Sequence, residues 1–374
     1  MLKLPFIFLL FLLSNWSYGQ DLTFRTSERL ILGNYKERSA SISSGDIDGD
    51  GDMDVLVANG RHWPGQNRIL VNNGKGIFTA SKPLGLESAT SYATELADFD
   101  MDGDLDVAVG NDMAPNYIFI NDGAGNFVKA SSFGMTYAPT RNLTTADIDM
   151  DGDIDILITN RGRENEICLN NGMGDFSVSI GFGSKDDSTI DVEVADIDGD
   201  NDYDLILANR DEQQNFVYLN DGMLDFSDRI PFGSGSDNTR SLAVADMNND
   251  KILDIVVANI GEANAVYFGD PQLRFAEKIE FGTRVANSYA IAISDFDLDG
   301  NLDIVVGNSR EANTVFLNRA DATVWERIQL SDKKFNTYDI ITSDLNGDGR
   351  EDIIESNSDE VNYYYFNQLK VVRR

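Results

Sequence analysis

Cysteine, histidine and positive charge are all scarce in this sequence. Cys168 is the only cysteine, so no disulfide can form within the chain. It lies in the strand-like run Glu166-Ile167-Cys168-Leu169, where it reads as a small buried hydrophobe rather than a nucleophile. His62 is the only histidine, which excludes zinc sites built on paired histidines, and no nucleophile elbow is present. Lysine and arginine number 30 against 63 aspartates and glutamates, a formal charge of −33. A surface of that sign repels nucleic acid and anionic membranes. Helical periodicity is almost absent. The one long apolar run, residues 4–13, is too short to span a bilayer core. Preceded by Lys3 and followed by the small residues of Ser17-Tyr18-Gly19, it reads as an export signal over residues 1–19. The rest, 20–374, is then a single soluble domain, periplasmic or secreted, that must be held together without disulfides.

Aspartate, by contrast, is abundant and in register. Asp-rich loops begin at Asp46, Asp98, Asp147, Asp196, Asp246, Asp295 and Asp344, at spacings of 52, 49, 49, 50, 49 and 49 residues. Periods of this size mark repeat architectures. A half-apolar strand such as Ser241-Leu242-Ala243-Val244-Ala245 enters each loop, and a β-branched one such as Asp254-Ile255-Val256-Val257-Ala258 leaves it. A loop framed by two asparagines follows, then a third strand, a turn such as Asn121-Asp122-Gly123, and a fourth strand opening on Phe78, Phe127, Phe176, Phe226, Phe275 or Trp325. Short strands joined by Gly/Asn/Asp turns are hairpins. The expected fold is therefore all-β, a seven-bladed β-propeller of four-stranded antiparallel blades. The last repeat lacks a fourth strand, and residues 22–26 are an orphan one. Pairing the two closes the last blade and leaves no open edge.

The loops have the chemistry of calcium sites. Positions 1, 3, 5 and 9 of the first are Asp46, Asp48, Asp50 and Asp54, with Gly51 at position 6 for the tight turn. Calcium takes six to eight hard oxygens in flexible geometry. The next three loops keep all four carboxylates: Asp98, Asp100, Asp102 and Asp106; Asp147, Asp149, Asp151 and Asp155; Asp196, Asp198, Asp200 and Asp204. The fifth has Asp246, Asn248, Asp250 and Asp254, with Lys251 where glycine is wanted, and is the weakest. The sixth has Asp295, Asp297, Asp299 and Asp303, and the seventh Asp344, Asn346, Asp348 and Asp352. The competing reading, acidic turns held by Asx hydrogen bonds, fits any one loop better than it fits seven in register. Several calcium ions with a mainly structural role are expected.

These loops, together with the pairs Phe133-Gly134, Phe182-Gly183, Phe232-Gly233 and Phe281-Gly282, resemble the FG-GAP/VCBS repeat family, which includes the propeller heads of integrin α chains. The resemblance covers essentially the whole of 20–374 and implies the propeller and its calcium. It leaves function open, because the fold hosts adhesion, lectin and lyase activities.

Function is sought where the repeats disagree. The asparagine-framed loops have spacings of 8, 5, 5, 6, 5, 5 and 5 residues, and the first, the longest, holds Gly60-Arg61-His62-Trp63-Pro64-Gly65-Gln66. Six residues before each Asp loop, where the inner strand begins near the axis, stand Ala40, Tyr92, Arg141, Ile190, Arg240, Tyr289 and Tyr338. Arg161 and Arg210 directly follow frame asparagines. Together these gather guanidiniums and phenols round one funnel, with His62 and Trp63 overhanging it. Asp112, Glu164, Asp211, Glu212, Glu262 and Glu311 share that face and must lie at its rim if the centre is to attract anions.

Guanidinium forks match carboxylates and sulfates, and aromatic faces suit sugar rings. The expected partner is an anionic, uronic-acid-containing oligo- or polysaccharide, and the expected reaction β-elimination. In that scheme His62, Tyr289 and Tyr338 transfer protons. Arg61, Arg141, Arg161, Arg210 and Arg240 bind the acid group, and Tyr92 and Trp63 contact the sugar. The set is similar in residue type to that of propeller-fold polysaccharide lyases, including those acting on ulvan. Loss of a sugar from C4 makes a lyase, loss of a hydroxyl a dehydratase. The alternatives are a glycosidase carboxylate pair and a non-catalytic carbohydrate- or protein-binding propeller, which would present equivalent sites blade after blade.

Overall fold

Every regular element among the described residues, 22–369 of a computed structural model, is a β-strand. The export signal expected over 1–19 lies outside the described residues. Five sheets contain four antiparallel strands each, added in chain order, as in Ser91–Ala97, Asp106–Asn111, Asn116–Asn121 and Phe127–Phe133. A sixth sheet has seven strands. In it the long strand Ile31–Gly45 pairs both with Asp54–Asn59 and with the last strand, Asp352–Leu369. The N-terminal strand Leu22–Arg25 pairs antiparallel with that last strand, Phe24 opposite Asn367, as the orphan fourth strand requires. Phe24 is buried edge-on against Phe296, 5.4 Å between ring centres. The extra pairing of Ile31 with Tyr363 and Leu32 with Asn362 was not expected from the repeat, since it lies upstream of the repeated pattern.

Packing follows from strand composition. The second strands, such as Asp155–Asn160 and Asp254–Asn259, are buried along their whole length, so both faces carry β-branched or leucine side chains into the clefts between sheets. Cys168 is fully buried there among Ile156, Ile158 and Phe176, and burial pushes its thiol up to about 12; it is a core residue. The innermost strands touch in the cyclic order Ile31–Gly45, Ser91–Ala97, Thr140–Ala146, Thr189–Ala195, Thr239–Ala245, Ser288–Ser294, Thr337–Ser343 and back to Ile31–Gly45.

The frame asparagines explain themselves in this ring. Asn67 donates to the Ser91 hydroxyl, Ser91 donates to the Asn111 side chain, and the Asn111 main-chain N–H donates to the Asn116 side chain. Equivalent steps run from sheet to sheet, except at Asn116, whose side-chain N–H finds no acceptor and whose oxygen accepts from the Thr140 hydroxyl at 3.4 Å. The relay returns to its start when Asn362 donates to Ser39, Ser39 to Asn59, and the Asn59 N–H to Asn67. A second set staples the opposite face: Asn72, Asn121, Asn170, Asn318 and Asn367 donate to the carbonyls of Leu345, Ile47, Phe99, Met247 and Phe296 in the preceding Asp loops. Most of these buried amide groups are satisfied this way, the exceptions being the Asn116 nitrogen and the Asn367 oxygen.

Two details refine the expected repeat. Phe78, Phe176, Phe226 and Phe275 do not open their fourth strands, which begin two to three residues later at Ala80, Val178, Asp228 and Lys278; the rings sit in the preceding turn and fill the cleft. Only Phe127 begins its strand. Phe133, Phe182 and Phe281 instead end fourth strands and Phe232 lies within Asp228–Asp237; all four are buried, and the following glycines take φ of 65°, 73°, 94° and 79°, a left-handed conformation that favours glycine.

Candidate functional site

On one face, the Asp loops close on themselves. The residue at position 6 donates its N–H to the first aspartate, as Gly51 to Asp46 and Gly103 to Asp98, both 3.0 Å. The buried aspartate at position 9 accepts from the main chain on both sides: Asp106 takes the N–H groups of Phe99 at 3.1 Å and Asn121 at 2.8 Å. Carboxylate oxygens converge within 4.8 Å in five loops, on Asp46, Asp48 and Asp50; Asp98, Asp100 and Asp106; Asp147, Asp149 and Asp155; Asp196, Asp198 and Asp204; and Asp295, Asp297 and Asp299. Buried oxygens of Asp46, Asp48, Asp54, Asp100, Asp147 and Asp297 have no hydrogen-bond donor. Hard oxygens buried without donors fit a hard divalent cation. The fifth and seventh loops, with Asn248 and Asn346 at position 3, gather no such carboxylate trio among the described residues. Lys251 adds to the weakness of the fifth: its φ of 72° costs an L-residue about 1 kcal/mol or more.

On the other face the funnel residues are re-aimed by a repeated irregularity. In each inner strand the register slips, between the first and third residues in six of them and between Ser39 and Ser41 in Ile31–Gly45. The extra residue of this β-bulge is Ala40, Tyr92, Arg141, Ile190, Arg240, Tyr289 or Tyr338. A bulge turns its extra residue out of the sheet alternation, here over the axis. Of these, Tyr92, Arg141, Arg240, Tyr289 and Tyr338 surround a remnant cavity of about 50 Å³, so the axis ends in a platform of side chains rather than an open hole.

His62 joins that platform. Its Nδ1 lies 2.8 Å from the Tyr92 hydroxyl, the rings edge to face at 5.9 Å. The backbone at His62 takes φ 67°, uncommon outside glycine. Lost hydration, then Arg61 and Arg141 beside it, hold the imidazole below its ordinary value of 6.5. Burial, opposed by Arg141, keeps the Tyr92 hydroxyl protonated to higher pH than usual. The Arg141 guanidinium lies 4.5 Å from the centre of the Tyr92 ring and pairs with Asp112 at 2.8 Å. Across the axis Tyr289 and Tyr338 pack edge to face at 4.9 Å, with Arg61 at 3.8 Å over Tyr338 and Arg240 at 5.7 Å from Tyr289. Arg61 and Arg240 have no ion-pair partner among the described residues. Burial works against the charge on Arg240, and Asp191 beneath it supports that charge.

Below the platform the axis opens into a cavity of about 450 Å³ lined by Glu95, Asp191, Glu193 and Asp339. Burial, then the neighbouring Asp191, pushes the Glu193 carboxyl up to about 8 from an ordinary 4.5. A raised carboxyl binds its proton more tightly in the folded state. Its contribution is therefore intact below about pH 4.5 and is lost as pH rises toward 8. Glu193→Gln should raise the thermal midpoint at pH 8, by on the order of 1–3 kcal/mol of stability, and change nothing near pH 4.5. Melting curves across that range test this; equal gains at both ends would refute it.

A family model described as FG-GAP-like repeat matches the sequence in overlapping windows, 46–109, 98–158, 147–207, 196–257, 246–306 and 295–355, each starting on the first aspartate of a loop. The chain belongs to the FG-GAP-like repeat family. No curated protein matches it. Among solved structures, BBS1N in complex with ARL6DN is similar over 92% of this chain and 98% of its own, with 12% identity and a TM-score of 0.62. The WD40 domain of Toxoplasma gondii coronin is similar over 95% and 88%, at 10% identity and 0.62. The WD40 β-propeller domain of Doa1 follows over 92% and 97%, at 12% and 0.61. At such identities the shared feature is the β-propeller fold.

Among the FG-GAP-like repeats of this chain, the structure brings together His62, Tyr92, Arg141, Arg61, Tyr338, Tyr289 and Arg240, and sets three expected residues apart. Arg161 is held by Asp211 at 2.6 Å, and Arg210 lies 3.4 Å from the same carboxylate. Arg161 is occupied by that carboxylate, while Arg210 lies beside it without a hydrogen bond. Trp63 is 66% exposed with Arg38 at 5.9 Å from its ring. Asp112 pairs with Arg141 at the platform and Asp211 with Arg161, so both neutralise arginines. Arg38 and the axial acids Glu95, Asp191, Glu193 and Asp339 were missed. The axial acids stand in the inner strands where the other repeats carry Ser, Ala, Thr, Asn or Ile, a signal visible in the sequence.

The sixth repeat departs in another way. Arg319, directly after Asn318, pairs with Asp297, lies 3.4 Å from Asp299 and also holds Glu326 at 2.8 Å. A guanidinium on positions 3 and 5 competes with a metal for the same oxygens. Calcium titration of Arg319→Ala should show that loop gaining affinity, several-fold to about tenfold; a binding isotherm identical to wild type would rule the competition out.

Proposed function

We propose that the chain is an exported, seven-bladed propeller whose Asp loops bind several structural calcium ions and whose axial platform performs β-elimination on a uronic-acid residue of an anionic oligo- or polysaccharide. The asparagine relay, interrupted only at Asn116, and the cyclic order of inner strands support the count of seven, with the joint seven-stranded sheet read as two blades. The donorless carboxylate oxygens support the metal. One observation carries the chemistry: a histidine bonded to a buried tyrosine, beside two guanidiniums that make no ion pair among the described residues.

β-Elimination needs three things at once. Arg61 and Arg240 receive the uronate carboxylate and stabilise charge as C5 loses its proton. With Nδ1–H donating to the Tyr92 oxygen, the His62 Nε2 lone pair is free to take that proton. The C5 electron pair forms the C4=C5 double bond while the C4–O bond breaks, and the Tyr92 hydroxyl protonates the departing oxygen. Arg141, held by Asp112, fixes the Tyr92 ring. Tyr289 and Tyr338, first expected to move protons, pack on one another and on Arg61 and Arg240, and are better suited to seating the sugar. A platform rather than a hole suits a chain that lies across the axis.

A second reading, a non-catalytic sugar- or protein-binding propeller, draws on the arginines already neutralised by Asp112 and Asp211, and on the protein partner of the similar BBS1N structure. Absorbance of the conjugated double bond, followed with calcium across a panel of uronic-acid polysaccharides and oligosaccharides, separates the two. A rise with any substrate supports elimination. A silent panel combined with tight calorimetric binding supports the binding propeller.

A further inference from the structure

Each blade meets the next across a cleft that opens beside the asparagine-framed loops, and two of these clefts have opposite chemistry. Tyr117 and Phe119 of one repeat and Thr314 and Phe316 of another hold the same places, opposite Val109 and Val107 and opposite Val306 and Ile304. In the first cleft, of about 410 Å³, the walls are Leu84, Leu86, Tyr117, Phe119, Phe127 and Val128. Its cation, Lys129, is spoken for: it pairs with Glu87 at 3.0 Å and sits 3.3 Å over the Tyr117 ring. The second cleft, of about 380 Å³, is walled by Arg310, Arg327, Lys334, Thr314 and Gln329, with Glu311 the only carboxylate. Arg327 faces Phe316 in the strand pairing as Lys129 faces Phe119.

None of Arg310, Arg327 and Lys334 has an ion-pair partner within 4.0 Å among the described residues. In a chain with a formal charge of −33, this cleft gathers three cations against a single carboxylate, Glu311. Lys36, Lys129 and Lys333, by contrast, each pair with a glutamate. Guanidiniums and ammonium around a cavity with hydroxyl and amide groups make a receptor for a carboxylate or sulfate on a polar ligand. The cleft also has a direction. Ser288 lines its inner end, and the next residue, Tyr289, lines the axial platform.

We propose that this cleft is a second anion subsite, binding a carboxylate or sulfate carried by a sugar several residues along the same chain whose uronate sits at the platform. The proposal rests on the anionic-saccharide reading of the platform. It makes the protein a reader of chain length as well as of charge: short oligosaccharides occupy the platform alone, longer ones bridge to the cleft and gain affinity from the second contact.

Calorimetry with oligogalacturonates of two and eight residues, in the presence of calcium, tests it on wild type and on Arg327→Glu/Lys334→Glu. Both positions are exposed, and an unchanged thermal midpoint checks that the variant is folded. The expected result is an octamer that binds wild type at least about tenfold more tightly than the dimer, with that advantage lost in the variant and the dimer unaffected. An octamer that binds variant and wild type equally overturns the subsite and leaves the platform reading standing. Failure of both oligomers to bind wild type overturns the platform reading, and the subsite with it.

Discussion

Chelating calcium should lower the midpoint of thermal unfolding by roughly 15 °C. The loops that begin at Asp46, Asp98, Asp147 and Asp196 keep their four carboxylates and bring three of them within 4.8 Å. An ion held at 100 times its dissociation constant stabilises the folded state by about 2.7 kcal/mol per site, so four sites contribute roughly 11 kcal/mol. Set against an unfolding entropy of about 0.7 kcal/mol/K for a domain of this size, that gives the expected shift. The direction is reinforced by repulsion, because removing the ions leaves carboxylates such as Asp46, Asp48 and Asp54 with buried oxygens and no donor. Asp149→Ala should reproduce about a quarter of the effect and remove one ion from the titration. Differential scanning calorimetry with and without chelator decides the matter. A shift below about 2 °C would mean that Asx hydrogen bonds alone hold the loops and the metal is incidental.

Legibility in the sequence divided along the repeat. Whatever recurs was readable, because seven copies of one local solution reinforce each other: the Asp loops, the strand alternation, the orphan strand at 22–26 that pairs at Phe24–Asn367. The frame asparagines were seen as boundaries, but their relay through Ser91, Thr189 or Thr337 was not, since it joins residues of neighbouring repeats that only closure of the ring brings together. The platform was legible as a set of positions. Its pairings were not. Asp112 reaches Arg141 and Asp211 reaches Arg161 across strands far apart in sequence, so a count of arginines overstated the positive charge on offer. Tyr92 was read as a sugar contact, and its bond to His62 depends on a loop conformation at φ 67° that no spacing rule specifies. The cationic cleft was invisible for the same reason: Arg310, Arg327 and Lys334 occupy a connecting loop, a fourth strand and the link to the last repeat, and nothing in the sequence says they meet.

His62→Ala should lower the rate of uronate elimination by about 100- to 10,000-fold, the range of a lost general base. Folding should be untouched, because the ring is exposed on an inserted loop and only its Nδ1 is engaged. Tyr92→Phe removes the proton donor and the hydrogen bond to Nδ1 together, and should cost a comparable factor in turnover while leaving substrate affinity nearly unchanged. Arg240→Ala should act on both, since a guanidinium that binds the carboxylate in the ground state also stabilises the carbanion-like charge that follows. The pH profile carries the sharper signature. Lost hydration and the positive charge of Arg61 and Arg141 hold His62 below 6.5, so the base stays unprotonated at neutral pH and activity should fall only at more acidic pH. Arg61→Ala removes one of those charges, and the acid limb should then move upward toward 6.5. Stopped assays of the conjugated product between pH 5 and pH 8 would read that movement directly. A wild-type profile with no acid limb, or one that His62→Ala leaves in place, would take the proton away from the imidazole and give it to one of the platform tyrosines instead.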